Sequence, residues 1–425
     1  MLLLANLAVS TLSAQIGLPA PPLRTEVEKP LETFSIPVPT GKSAQTMWAT
    51  QELFEVPATY PLNDTNLQAD AEVRPVFYDG PKFHGKPTRV FAWVGLPANR
   101  QGKVPGIVLV HGGGGTAYRS WVKLWVDRGY AAIAMDTCGK MPDPLSTEER
   151  PYKSHSYSGP ALGGTFNNVD EPPVDQWVYH AVAAVVRAHS LLRSLPEVES
   201  EQTGLTGISW GGMFVEIAAG VDARFKFVAP VYGCGFLGED SFFQEDNMHQ
   251  MGRERAIKWL ELWDPSQYIC YAKMPMLFCD GTNDKHFRPA SWQKTYRTAQ
   301  GPRTLSMKLR MPHGHPPAGD PKEITVFADS FVRGGAPLVK LLDPSRDKDT
   351  VWATYSTTVP IQKAELLYTK DLGAWRERNW DTVPAEVDSN EHKVKATLPP
   401  GTTVYFINLT DARGCITSSE HEELK

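Results

Sequence analysis

The chain has 425 residues, 41% of them hydrophobic and 21% charged, with a formal net charge of −5. That length supports a large core and two or three domains. Basic residues form no runs, so a nucleic-acid partner has no electrostatic footprint, and no stretch of about eighteen apolar residues exists to span a membrane as a helix.

The first fifteen residues, MLLLANLAVSTLSAQ, are apolar and end in small residues. They resemble the apolar core and cleavage site of an export signal without its basic start, which points to a secreted or periplasmic protein; a docked or disordered tail and a cytoplasmic location stay open. Residues 15–45 are proline-rich and aperiodic and read as an extended arm, so residues 1–49 are taken as signal remnant plus arm. The five cysteines show no CxxC or Cys/His ligand spacing; they read as small buried fillers, and no metal or other cofactor is expected.

Strand-like pieces follow at 51–57, 71–79 and 87–97, before any helix, as expected of an antiparallel sheet edge. From residue 105 strands and helices alternate. PGIVLVH (105–111), YAAIAMD (130–136), TGLTGIS (203–209), FKFVAPVYG (225–233), MPMLFCDG (274–281) and LSMKLRMP (305–312) read as buried strands. Between them, 120–129, 174–195 and 212–221 have helical spacing. The last helix, 320–335, places Asp320 at the N-cap, Pro321 at N1 and Glu323 at N3. This alternation predicts an α/β fold with a doubly wound, mainly parallel sheet over residues 50–337. After Gly335 strands recur without helices (351–359, 363–369, 392–398, 403–409), predicting a small sandwich-like β-domain over 338–425.

GISWGG (207–212) falls where a strand gives way to a helix. The string alone is a weak signal, but in that place a G-x-S-x-G turn is a nucleophile elbow: the glycines make room, Ser209 is raised above the sheet, and the Trp210 N–H points at a reacting oxygen. An inert serine in a tight packing turn is the alternative. A nucleophilic serine needs a base, and the base a carboxylate. Asp284 lies in the loop after strand 274–281 and is favoured over Asp280, which falls at the strand's end. His313 and His315, in MPHGH after the next strand, are the candidate bases. His315 is favoured because it sits further into the loop and can reach back over the sheet edge. His286 follows Asp284 too closely, and His180 and His189 belong to the long helix. HGGGG (111–115) follows a strand and offers backbone N–H groups from Gly113 or Gly114 for an oxyanion. A phosphate loop is disfavoured, because neither glycine-rich fingerprint is complete.

VLVHGGGG, GISWGG, GTNDKHF and MPHGH, in this order, resemble the α/β-hydrolase superfamily, and within it dienelactone-hydrolase-like and acetylxylan-esterase-like proteins, over about residues 50–335. Ser209 stands where dienelactone hydrolase has cysteine, which favours a serine esterase. The resemblance implies ester cleavage through an acyl-enzyme, with a small-molecule or carbohydrate acetyl ester as partner. A prolyl-oligopeptidase-like peptidase shares the order of the triad, but no propeller repeats precede the sheet. A non-catalytic binding protein on this scaffold is the third reading. Trp375 and Trp380 offer either a sugar-stacking platform or core filling. The oligomeric state is not readable.

Overall fold

A computed structural model describes residues 32–424 apart from 41–43, 63–66, 68–69, 147–151 and 316. The expected signal remnant lies outside the described residues. Of the expected arm, residues 32–40 are docked: Phe34 is buried, and its N–H donates to Gly238 O at 2.7 Å.

The central sheet has nine strands: β1 (Thr59–Pro61), β2 (Val73–Asp79), β3 (Arg89–Gly95), β4 (Val104–Val110), β5 (Ala131–Met135), β6 (Val198–Ile208), β7 (Phe227–Val231), β8 (Met276–Gly281) and β9 (Arg303–Lys308). Their order is 1-2-3-5-4-6-7-8-9. The first three strands and their junction with β5 are antiparallel, and every pairing from β5 to β9 is parallel. Every residue of β5, β7 and β8 is buried, so layers cover both faces of these strands. The covering helices are α1 (Arg119–Asp127), α2 (Trp177–Ser194), α3 (Trp210–Val221), α4 (Arg253–Trp263), α5 (Pro289–Thr298) and α6 (Lys322–Val332). Among the described residues no helix is long and apolar enough to cross a membrane.

Two expectations need correction. Residues 51–57 are not a strand; Thr50–Phe54 form a short helix with Leu53 buried, and Ser190 on α2 donates its hydroxyl to Leu53 O at 3.1 Å. A short apolar run does not distinguish strand from helix, and packing against α2 decides here. Asp320 does not cap α6, which Pro321 precedes with no side-chain cap; Asp320 pairs with Arg128 at 2.6 Å. Glu323 is buried instead, bonded to Lys308 Nζ at 2.6 Å and to the Ile416 N–H at 2.8 Å.

Beyond α6 the chain forms two antiparallel sheets. One holds Lys340–Asp347, Thr350–Ser356, Glu386–Asp388 and Lys393–Thr397; the other Ile361–Thr369, Trp380–Pro384, Val404–Asp411, Ile416–Ser418 and Glu422–Glu423. Val351, Ala353, Leu366, Val394, Ile407 and Leu409 form a core between them. Trp375, Trp380, Val404 and Phe406 belong instead to the main core. Both tryptophans are buried, which removes the sugar-platform reading.

Candidate active site

Ser209 sits between β6 and α3 with φ 58° and ψ −120°, a backbone conformation rare for a residue with a side chain. Its N–H donates to Val231 O at 2.9 Å. The neighbouring glycines are required by backbone, not by side chains. A Cβ on Gly207 would lie 2.5 Å from Gly211 O, one on Gly211 2.2 Å from Val110 O, and one on Gly212 2.7 Å from Val231 O. The turn is thus wedged between the ends of β4 and β7. Trp210 opens α3, so its N–H has no partner within the helix and lies at the helix's positive end.

Asp284 follows β8 and is buried. Its Oδ1 accepts the N–H groups of His286 and Phe287, both at 2.8 Å. Its Oδ2 lies 2.5 Å from His313 Nδ1, and His313 Nε2 lies 2.9 Å from Ser209 Oγ. A carboxylate only accepts, so His313 carries its proton on Nδ1 and Nε2 accepts from the serine hydroxyl. The His313 ring stacks on Tyr232 at 4.5 Å, and the Tyr232 hydroxyl donates to Pro312 O at 2.5 Å, which fixes where the loop releases His313.

The structure therefore corrects the choice of histidine. His313 reaches Ser209, and His315 does not. Two residues further on, the His315 ring lies against Tyr118 (4.6 Å) and Trp121 (5.3 Å) near α1, with Gly319 leaving room for it. Its Nε2 is buried without a partner among the described residues, and burial pulls its pKa down. Asp280 lies within β8, where Oδ1 accepts the Gly281 N–H at 2.7 Å; burial pushes its pKa well above the carboxylate range.

The glycine loop closes the other side. His111 bonds Gly112 O through Nδ1 at 2.8 Å and accepts the Thr137 N–H at Nε2 at 2.9 Å; burial holds its pKa at about 4, so the ring is neutral. A Cβ on Gly112 would lie 3.2 Å from Ser209 Cβ, and one on Gly113 2.4 Å from Trp210 Cδ1. Gly114 has φ 69°, and its carbonyl accepts the Tyr152 hydroxyl at 2.6 Å. Gly112 thus lies against Ser209 and Gly113 against Trp210, and Gly113, Gly114, Ser209 and Trp210 line one cavity. The Trp210 indole lies across Gly113 and packs on Phe243 (4.9 Å) and Trp177 (5.2 Å).

A cavity of about 1130 Å³ opens over Ser209, walled by Trp93, Tyr118, Tyr152, Trp210, Phe242 and Phe243. Phe242 and Phe243 come from the stretch between β7 and α4, and the sequence singled out neither residue. His286 joins this wall, its ring 4.7 Å from His313; burial lowers its pKa to about 4. Among the described residues, Asp284, His286 and His313 are those whose donor atoms come within 4.8 Å of one another, as a metal would need, but His313 and Asp284 already bond each other.

A strained serine at a strand–helix turn, a glycine loop beside it and a parallel sheet in this strand order define an α/β hydrolase. Residues 42–318, well over half of the chain, match the model of the acetyl xylan esterase (AXE1) family. The chain belongs to that family and is a serine hydrolase of the ester-cleaving kind. Among solved structures it is similar to an acetyl xylan esterase from Paenibacillus sp. R4, at 19% identity and TM-score 0.52, over 70% of this chain and 97% of that one. It is also similar to acetyl xylan esterase 1 from Thermoanaerobacterium sp. JW/SL YS485, at 17% identity and TM-score 0.53, over 71% and 95% of the two chains.

Proposed function

We propose that the protein is a serine carboxylesterase that removes acetyl groups from acetylated carbohydrate, xylan-type esters in particular. The observation that carries the mechanism is the single imidazole of His313 bonded at one nitrogen to Asp284 and at the other to Ser209. Ser209 Oγ attacks the acetyl carbonyl as its proton passes to His313 Nε2. Asp284 holds the imidazole orientation and stabilises the imidazolium. The oxyanion is held by the N–H of Trp210 and by one from Gly113 or Gly114, an arrangement in which each donor contributes about 10²–10³ in kcat. Collapse breaks the ester bond, and His313 gives the proton to the departing sugar hydroxyl. Water, deprotonated by His313, then attacks acetyl-Ser209; acetate leaves and Ser209 regains its proton.

The cavity is far larger than an acetyl group and walled by aromatic rings, which suits stacking on sugar faces. Family membership supports the same substrate class. The apolar N-terminal stretch supports export to where such polymers occur. Acetate release from acetylated xylo-oligosaccharides tests the reading. It expects turnover well above that on aminoacyl amides; equal or better amide cleavage overturns it.

A further inference from the structure

The loop bearing Asp284 is gripped from outside the hydrolase fold. Asn283, its neighbour in sequence, donates its side-chain amide to three carbonyls of the C-terminal β-sandwich: Trp375 (3.2 Å), Arg376 (3.3 Å) and Arg378 (2.8 Å). Its Oδ1 accepts the Thr282 hydroxyl at 2.7 Å, and that hydroxyl accepts the Arg310 N–H at 2.9 Å. Arg310, three residues before His313, sends its guanidinium to Trp380 O at 3.1 Å. The carboxylate loop and the histidine loop are therefore stitched to each other, and each is tied to the same stretch of the sandwich.

That stretch is stiff. Asp371 Oδ2 accepts the Asn379 N–H at 2.7 Å and its side-chain amide at 3.0 Å. Arg378 donates to Gly373 O at 2.8 Å and stacks over Trp375 at 3.9 Å. Trp375 and Trp380 are buried in the main core.

We propose that the C-terminal sandwich is a clamp that sets the Asp284–His313 geometry, with Asn283 and Arg310 as positioning residues. The proposal rests on the Ser209–His313–Asp284 reading. Three converging carbonyls accept only, so position 283 needs a donor. An Asp284 carboxylate released by even about 1 Å costs up to roughly 10²-fold in rate, because the imidazole is no longer held in line with Ser209.

The test compares full-length variants by kcat and KM on p-nitrophenyl acetate, by the rate at which a fluorophosphonate labels Ser209, and by melting temperature. Asn283→Ala is expected to lose roughly 10- to 100-fold in kcat and in labelling rate, with KM held within about threefold. Asn283→Asp, an isostere without donors, is expected to lose at least as much. Arg310→Ala, at an exposed residue, is expected to lose about three- to tenfold, and Arg310→Lys to recover most of it. Gln293→Ala removes a bond to His421 O at the same interface but away from the loops, and keeps wild-type kcat. Wild-type kcat in folded Asn283→Ala, or an equal kcat loss in Gln293→Ala, overturns the clamp. Should Asn283→Ala fail to fold, the Arg310→Ala and Arg310→Lys pair decides. Activity persisting in Ser209→Ala overturns the underlying triad reading instead.

Discussion

Gly113→Ala probes the arrangement at its tightest point. A Cβ there lies 2.4 Å from Trp210 Cδ1, about 1 Å inside ordinary van der Waals contact. The indole cannot swing clear, because Trp177, Phe243, Phe166 and Phe214 pack around it at 4.9 to 6.1 Å. The glycine loop must therefore give by about 1 Å, away from the Trp210 indole. Overpacking of this kind costs about 1–3 kcal/mol of stability, and a 1 Å displacement of oxyanion donors costs up to roughly 10² in kcat. Trp210→Leu shortens the obstructing side chain and keeps the backbone N–H, so it is expected to recover most of the loss in the double variant, a clear non-additivity. The assay is kcat and KM on p-nitrophenyl acetate with melting temperature alongside. Gly163→Ala, where a Cβ meets nothing within 4 Å, is the control. Wild-type kcat in Gly113→Ala, or additive losses in the double variant, refutes the reasoning.

Asp284→Asn is expected to lower kcat by about 10⁴, whereas Asp280→Asn, which replaces a buried acid bonded, among the described residues, only within its own strand by an amide of the same shape, keeps kcat within about tenfold; equal losses contradict the assignment. Glu216, on α3, is buried with neither carboxyl oxygen partnered among the described residues, and burial, with the charge of Asp264 beyond it, raises its pKa well above 4.5. The unfolded chain ionises Glu216 near 4.5, so its contribution to stability is fully present below that pH and is lost as pH rises toward the folded-state pKa. Glu216→Gln is therefore expected to gain on wild type by about 1.4 kcal/mol per pH unit above 4.5 until the folded-state pKa is reached. Denaturant unfolding at pH 4, 6 and 8 checks this, and a difference independent of pH contradicts it.

What was legible in the sequence was local. Ser209 could be read because its turn needs glycines within two or three residues, and the turn, the strand and the helix leave their own signals. Asp284 could be read because strand-end loops carry such residues in this fold. The histidine could not. His313 and His315 share one irregular loop, and what separates them is long-range packing: Tyr232 claims one ring, while Tyr118 and Trp121 claim the other. An aromatic directly after β7 and a Tyr/Trp pair opening α1 were the available signals. The helix at Thr50–Phe54 was misread because its pattern is too short to carry a period and its burial comes from α2. Tryptophan counts alone could not separate a sugar platform from core at Trp375 and Trp380; the sheet packed against them does. The hold of Asn283 on the sandwich leaves no local trace, because its partners lie about ninety residues away.

The central claim is that Ser209 is activated by His313. Fluorophosphonate labelling, with the modified peptide mapped by mass spectrometry, reads this directly in wild type, His313→Ala and His315→Ala. The account predicts a single adduct on Ser209, formed at near wild-type rate in His315→Ala and slowed by at least about 10³ in His313→Ala. Labelling that survives in His313→Ala and disappears in His315→Ala contradicts it.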